Sequence, residues 1–266
     1  MSSKHGICKL TGKQGKYVKS HIIPKALFPR EQPGQKLVET DGHSISFRPD
    51  TFYDRELVTQ DGENILRDLD DWAIKELERL KLIWRGWKTD SFTEEGMPFD
   101  RNGAIGHRAL KSSDARRLRL FFLSLLWRAA ASYRREMNNV AMPEADLERI
   151  RRMLVEGQAE PFYQFPIILA HYWSKGIDYS MAPFEVSSSQ SEGLSRLNSW
   201  RFYFNGLFCH IMRDAKTVID EMRWGKLVVG RNAEFSVLIL DWDGSSQAGE
   251  LFKGFSAFAN HSAIKR

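Results

Sequence analysis

The sequence predicts an α+β fold, and three observations lead to this prediction. The chain has 266 residues, of which 42% are hydrophobic, and this is enough for a large core. Apolar residues recur at helical spacing in the first two thirds of the chain, whereas aromatic and β-branched residues dominate short segments after Pro161. We therefore expect a small N-terminal module in residues 1–85, followed by a larger, mainly helical domain with some strands in residues 86–266.

The N-terminal module begins with alternating apolar positions and glycine-rich turns. Residues 5–30 are predicted to form a hairpin that runs into a short helix, with Pro24 in the first helical turn. Residues 30–54 have little periodicity, so we expect an irregular segment with one short strand near residues 44–47. From Glu63 onward, apolar residues recur every three or four positions, which predicts an amphipathic helix.

The larger region contains two further predicted helices. Ser112 or Ser113 is the expected N-cap of the first, with Asp114 in its first turn. The apolar positions of residues 118–133 cover nearly the whole circumference, so this helix should be buried at the centre of the domain. Another helix is predicted for residues 143–157, with one apolar side that places it at the surface.

Strands are predicted towards the C-terminus. Residues 165–172, 200–212 and 235–242 are rich in aromatic and branched side chains and are bounded by turn residues. Residues 208–214 could instead be helical. His171, Cys209 and His210 lie in apolar surroundings and are expected in the core.

The N-terminal segment of the chain carries an excess of positive charge. Residues 1–30 hold seven Lys or Arg and no Asp or Glu, as expected for a surface that binds phosphate, although a solvated basic terminus has the same composition. The predicted nucleic-acid contacts are Lys13, Lys16, Lys19, Lys25 and Arg30.

Two properties bear on the compartment of the protein. The two cysteines lie far apart and the N-terminus has no apolar signal core, which indicates a reducing, cytoplasmic compartment. The longest apolar run, residues 118–131, is short and contains two arginines, so no membrane anchor is expected.

His21 is the first candidate for a catalytic role. A neutral imidazole can take a proton from water at cellular pH, and hydrolysis of a phosphodiester needs an activated water. His21 precedes Ile22, Ile23 and Pro24, a pattern that predicts an imidazole at the end of a buried strand. Taken alone, a histidine in this position is more often a structural residue whose ring bonds a backbone carbonyl.

Two segments of the chain carry a recognisable pattern. Cys8 is followed by a basic hairpin and by Ser20-His21-Ile22-Ile23-Pro24-Lys25, and later Tyr53-Asp54 precedes the helix that contains Glu63 and Asn64. This pattern resembles the HNH family of ββα-metal endonucleases, in the subgroup that reads S-H-I-I-P-K. The resemblance implies that residues 1–85 form an HNH-like ββα module, that His21 is the catalytic general base and that Mg²⁺ or Mn²⁺ takes part. It also implies DNA as the partner, in a bacterial or phage setting such as defence against foreign DNA.

The sequence departs from this family at the structural zinc site. Where the family has four cysteines, this chain has Cys8, Thr11, Thr59 and Gly62. Threonine and glycine supply no thiolate, so a structural zinc ion is not expected. The catalytic metal site of the family is separate, and the loss of zinc ligands does not by itself remove it.

The catalytic metal would need ligands near His21. The aspartate that many family members place before the histidine is Ser20 here, a weaker ligand for a hard cation. The pattern of the family gives the candidate metal ligands Asp54, Asp61, Glu63 and Asn64, with His43 as a further candidate. Asp61 and Glu63 could instead stabilise the N-terminus of the following helix.

The predicted central helix is rich in arginine. Six arginines lie between residues 116 and 135, and no acidic residue separates them. They could contact a nucleic-acid backbone, or they could pair with acids on neighbouring helices such as Asp70, Asp71, Glu144 or Glu148.

These observations predict a metal-dependent, HNH-like endonuclease that hydrolyses DNA phosphodiester bonds with His21 as the base. The alternative is a catalytically inactive descendant of that module that binds nucleic acid or a protein partner in a larger complex, with the C-terminal region carrying the function.

Overall fold

A computed structural model shows how these segments fold. The structure describes residues 4–28, 37–40, 45–48, 50–91, 106–176, 179–186, 198–213 and 225–240. This part of the chain contains three α-helices, a mixed sheet of nine strands and two smaller antiparallel pairs. The prediction of a larger, mainly helical domain is therefore wrong, although helices and strands do coexist as in an α+β fold.

The N-terminal strands and the first helix form the elements predicted for this region. Strands β1 (His5–Ile7) and β2 (Gln14–Lys16) form an antiparallel hairpin, and a short 3-10 helix follows at Lys25–Leu27. Strand β3 (Ser20–His21) pairs with a strand more than 30 residues later in the chain, and helix α1 (Gln60–Arg79) follows that partner.

The segment between β3 and its partner was expected to be irregular with one strand. It contains two described strands, β4 (Leu37–Thr40) and β5 (Ile45–Arg48), before β6 (Tyr53–Asp54), the partner of β3. Strand β4 also pairs in parallel with β9 (Ser180–Met181). The segment thus links the N-terminal strands to the large sheet, and the division of the chain at residue 85 stays a prediction.

The remaining strands complete the nine-stranded sheet. They are β7 (Gly106–Lys111), β8 (Ile167–Tyr172), β10 (Phe184–Val186), β11 (Ser199–Phe204), β12 (Leu207–Met212) and β13 (Glu234–Leu240). The order across the sheet is β5-β4-β9-β11-β12-β8-β13-β7, with β10 beside β11. Among the named strands of the described residues, β4–β9 and β8–β13 are the parallel pairs.

The sheet has apolar packing on both faces, which explains why its extent was missed. Every residue of β8 and β12 is buried, so neither strand shows the alternation that identifies a half-exposed strand. Ile167 and Leu169 of β8 join the main core, whereas Ala170 and Tyr172 pack with Trp84 on the other side. His171, Cys209 and His210 are buried, as predicted. The helical alternative for residues 208–214 is wrong, because β12 is a strand through Met212.

One described helix covers the sheet on the side of the main core. Helix α2 (Ala115–Ala131) lies between α1 and α3 (Glu144–Glu156) and also contacts β12. Asp114 is the N-cap of α2, one position after the expected serines, and its carboxylate accepts a hydrogen bond from the Arg117 N–H. In the described part of the chain, no helix is long and apolar enough to cross a membrane.

Candidate active site

His21 is held at the end of β3 by backbone pairing with β6 and the residue before it. Ser20 pairs with Asp54 and His21 with Tyr53, and the Ile22 N–H donates to the Phe52 carbonyl at 2.9 Å. Ile22 and Ile23 are fully buried, so they anchor the strand while the half-buried ring of His21 remains partly open to solvent. The position of the imidazole is thus fixed by the β3–β6 pairing.

The carboxylate that meets His21 belongs to Asp50, which sequence reasoning missed. Nε2 of His21 lies 3.1 Å from Oδ1 of Asp50, and the same oxygen accepts the Thr51 N–H at 3.0 Å. Thr51 in turn donates its hydroxyl to the Ile23 carbonyl at 3.1 Å, which ties the Asp50 turn to β3. Asp50 lies in the segment without periodicity, and the β3–β6 pairing together with the Thr51–Ile23 bond brings it to the histidine.

The charges of this pair favour a neutral histidine beside an ionised carboxylate. Burial lowers the pKa of His21 below its ordinary value of 6.5, although the hydrogen bond to Asp50 acts in the opposite direction. Burial of Asp50 would raise its pKa, but hydrogen bonds from Lys19 and His21 outweigh this effect and lower the pKa to about 2. An ionised Asp50 accepts the Nε2–H of His21, which places the free lone pair of the ring on Nδ1.

Two of the predicted lysines flank this pair. The Lys19 ammonium pairs with Oδ2 of Asp50, and Nζ of Lys25 lies 3.9 Å from Oδ1. Lys13 and Lys16 are exposed on the β1–β2 hairpin, and Arg30 lies outside the described residues. The structure therefore places Lys19 and Lys25 beside the His21–Asp50 pair. Among the described residues, neither Lys13 nor Lys16 contacts this pair.

The ring of Tyr53 lies beside His21, and three cations lie close to this ring. Its ring lies 6.1 Å from the His21 ring in an edge-to-face arrangement. Nζ of Lys19 lies 4.0 Å from the centroid of the Tyr53 ring, and the guanidinium carbons of Arg55 and Arg134 lie 5.5 and 5.6 Å from it. The surroundings of His21 are therefore basic and aromatic.

Two of the four predicted metal ligands, Asp54 and Asn64, accept hydrogen bonds from other partners, and a third, Asp61, is exposed. Asp54 accepts the Glu56 N–H at 2.7 Å and the Ser132 hydroxyl at 2.6 Å. Asn64 accepts hydrogen bonds from Gln60 and Arg67, both at 2.9 Å. Asp61 is exposed in the first turn of α1, where a negative charge stabilises the helix, and His43 lies outside the described residues.

The fourth predicted ligand, Glu63, lies beneath β3 beside an internal cation. Burial raises the pKa of Glu63, and the neighbouring Ser20 hydroxyl and Arg128 guanidinium oppose this rise. Arg128 donates to both oxygens of Asp70, at 3.0 and 2.5 Å, and to the His21 carbonyl at 2.9 Å. Arg128 thus pairs with Asp70 and also lies close enough to Glu63 to oppose the rise in its pKa.

The described part of the chain does not bring the four predicted metal ligands together. No group of three His, Cys, Asp or Glu side chains suited to an ion occurs within the described ranges. The carboxylate beside His21 already has two ammonium groups next to it, and the predicted ligands do not converge on it. The Mg²⁺ or Mn²⁺ requirement accordingly stays a prediction from the resemblance, without ligands assigned to it.

The four positions that correspond to zinc ligands do come together. Cys8 is buried, its Sγ accepts the Thr11 N–H at 3.4 Å, and Thr11 and Thr59 both lower the pKa of its thiol against the opposing effect of burial. A Cβ atom on Gly62 would lie 2.6 Å from Sγ of Cys8. One thiol, two threonines and a close-packed glycine therefore occupy this corner, and they supply a single thiolate ligand at most.

Gly62→Ala is expected to destabilise the protein by about 1–2 kcal/mol, because the added methyl overlaps Cys8 and contacts Val58, whose Cβ would lie 3.0 Å away. The better helix propensity of alanine offsets part of this cost. Urea unfolding measures the change, with the exposed Lys75→Ala on the same helix as a control that should stay within about 0.5 kcal/mol. An unchanged midpoint for Gly62→Ala would contradict the packing described for this corner.

The arginines of the central helix pair within the protein. Arg119 is fully buried, and its guanidinium donates to the carbonyls of Ala159 at 2.8 Å and Phe165 at 3.0 Å. Arg128 pairs with Asp70, which was one of the acids expected. Neither residue can contact a nucleic acid, whereas Arg134 lies at the surface near Tyr53.

Comparisons with known proteins do not identify a relative: no family model, no curated protein and no solved structure matches the chain. Functional inference therefore rests on the His21 site itself. A neutral imidazole, a carboxylate that fixes its tautomer and two adjacent ammonium groups can accept a proton from water and hold an anion in the same place.

Proposed function

We propose that the chain is an HNH-like endonuclease that hydrolyses phosphodiester bonds of DNA at His21. The observation that carries this proposal is the His21–Asp50 pair, flanked by Lys19 and Lys25, at the end of the β3–β6 strand pair that precedes α1. The convergence of Cys8, Thr11, Thr59 and Gly62 supports it, because these are the zinc positions of the family that the sequence resembles. A role in defence against foreign DNA rests on that resemblance alone.

In the proposed reaction, Nδ1 of His21 accepts a proton from a water molecule while Asp50 holds the proton on Nε2. The resulting hydroxide attacks phosphorus, a new P–O bond forms and the bond to the leaving 3′ oxygen breaks. The leaving oxygen takes a proton from solvent, and His21 returns its proton to solvent. Lys19 and Lys25 hold the non-bridging phosphate oxygens, where negative charge accumulates in the transition state.

In the structure, Asp50 pairs with the two ammonium groups that this reaction needs, those of Lys19 and Lys25. A phosphate that approaches His21 would compete with the Asp50 carboxylate for Lys19 and Lys25, and both lysines are partly exposed and have long, mobile side chains. Release of these cations to the phosphate would leave Asp50 with His21 as its main partner. The carboxylate would then stabilise the imidazolium that forms during proton transfer.

A second candidate is a nucleic-acid-binding module without catalysis. The observation in its favour is that two predicted metal ligands, Asp54 and Asn64, have other partners, while the basic surroundings of His21 are intact. This protein would hold the phosphate backbone through its cations and carry out no chemistry.

The test is to incubate the wild-type chain with linear and supercoiled DNA in Mg²⁺, in Mn²⁺ and in EDTA, and to measure binding over a range of salt concentrations. We expect cleavage that yields ends with a 3′ hydroxyl, and an affinity that falls steeply as salt rises. Binding without cleavage under every condition would overturn the endonuclease proposal in favour of the binding module. The absence of both binding and cleavage would contradict both candidates.

A further inference from the structure

A second surface feature lies next to the His21 site, at the end of α2. Tyr133 is 87% exposed, more than any other large apolar side chain in the part of the chain that the structure describes. Nζ of Lys9 lies 3.3 Å from the centroid of its ring and also donates to the Ala131 carbonyl at 2.5 Å. One face of the ring is therefore covered by a fixed cation, and the high exposure leaves the other face open to solvent.

The segment that carries Tyr133 is attached to β6 of the site. The Ser132 hydroxyl donates to Oδ2 of Asp54 at 2.6 Å and accepts the Arg134 N–H at 3.2 Å. Arg134 is held by Glu136 and lies 5.6 Å from the Tyr53 ring. These hydrogen bonds hold the segment that carries Tyr133 in place. Binding of a ligand to Tyr133 would therefore cost the protein little conformational entropy.

The distance from His21 to the guanidinium of Arg134, the residue after Tyr133, can be bounded. The His21 ring and the Arg134 guanidinium lie 6.1 and 5.6 Å from the same Tyr53 ring, so they are at most about 12 Å apart. This upper bound corresponds to about three stacked nucleotides of one strand at roughly 3.4 Å each. Lys19, Arg55 and Arg134 surround Tyr53 along the way and can pair with the intervening phosphates.

An open aromatic ring stacked on one cation, with further cations on the segment attached to it, is the arrangement that binds unpaired nucleotides. Bases of a duplex are stacked on each other, so their faces are not available to a side chain, whereas every base of a single strand has a free face. We propose that Tyr133 is a stacking platform for an unpaired base, and that the preferred ligand of the His21 site is therefore single-stranded or frayed nucleic acid and not an intact duplex. This inference rests on the proposed function, because it assigns the class of nucleic acid that the site receives.

Fluorescence anisotropy with a labelled oligothymidine and with a blunt duplex of equal length tests this proposal, in EDTA so that metal-dependent cleavage does not interfere. The wild-type protein should bind the single strand more tightly than the duplex. Tyr133→Ala should weaken single-strand binding about tenfold or more and leave duplex binding unchanged. Tyr133→Phe keeps the ring and should behave as wild type, and so should Tyr163→Ala, which removes another exposed tyrosine.

The outcomes separate this inference from the proposed function. Equal binding of both ligands by the wild type, or a Tyr133→Ala variant that binds the single strand as tightly as wild type, would overturn the stacking platform while the nuclease proposal stands. A wild-type protein that binds neither ligand at low salt would overturn both.

Discussion

Replacement of His21 by alanine is expected to lower the rate of DNA cleavage by about 10²–10⁴-fold, which is the usual contribution of a general base. Folding should be unaffected, because the side chain is partly exposed and Asp50 keeps Lys19 as a partner. His21→Gln retains a polar side chain of similar reach and should be equally inactive, since an amide is not a base at neutral pH. His107→Ala, which removes an exposed histidine on β7, should cleave as wild type.

Binding separates the catalytic role of His21 from a structural one. His21→Ala should bind DNA with nearly wild-type affinity, because Lys19 and Lys25 supply the phosphate contacts. Cleavage at the wild-type rate by this variant would contradict the assignment of the base. Loss of cleavage together with loss of the folded circular-dichroism spectrum would instead show that His21 is needed for folding, and this would also remove the support for a catalytic role.

The pH dependence of cleavage should report the same group. His21 must be neutral to accept a proton, so activity is present above its pKa and is lost as the pH falls through it. Because burial lowers this pKa, the loss should occur below the ordinary value of 6.5. Asp50→Asn removes a neighbour that raises the pKa of His21, so it should move the acidic limb of the pH–rate profile to lower pH. It should also reduce the rate about 10- to 100-fold, because the His21 imidazole is held less well in position. Asp90→Asn at an exposed site is the matched control.

Local elements could be predicted from the sequence because their signals are local. The spacing of Leu66 to Leu80 predicted α1, and the Gly157 stop of α3 was confirmed by its left-handed φ of 66°. Strand β7 was missed because its inward positions include Gly106 and Arg108, which do not look like core residues. Patterns of hydrophobic residues cannot reveal a strand whose buried side is partly polar.

The parts of the site that could not be predicted depend on contacts between distant segments. His21 was identified from six consecutive residues, but its partner Asp50 lies 29 positions away in a segment without periodicity. The metal ligands were assigned by their order in a family pattern, and that order does not show that Asp54 turns to Ser132. The pairing of Arg128 was left open, because a helix that is apolar all round gives no sign of which arginine is buried.

Arg128→Met is expected to destabilise the protein by about 3–5 kcal/mol, the usual cost of leaving a buried charge without its partner. Arg128 is 1% exposed and donates to Asp70, to Ser124 at 2.8 Å and to the His21 carbonyl. Its removal leaves the Asp70 carboxylate beside Glu63 in a poorly solvated place. Urea unfolding measures the loss, and Arg152→Met, which changes an exposed arginine on α3, should stay within about 0.5 kcal/mol of wild type.

Two further variants make this prediction specific to the ion pair. Arg128→Met combined with Asp70→Leu removes both charges, so it should recover a large part of the lost stability. If the two substitutions acted independently, their losses of stability would add instead. If Arg128→Met does not fold, Arg128→Lys keeps the charge but not the paired donors, and it should show a smaller loss of about 1–3 kcal/mol. Because Arg128 also binds the carbonyl of His21, the lysine variant should cleave DNA more slowly even where it is fully folded. A stable Arg128→Met variant with wild-type cleavage would show that the core helix α2 does not position the candidate base.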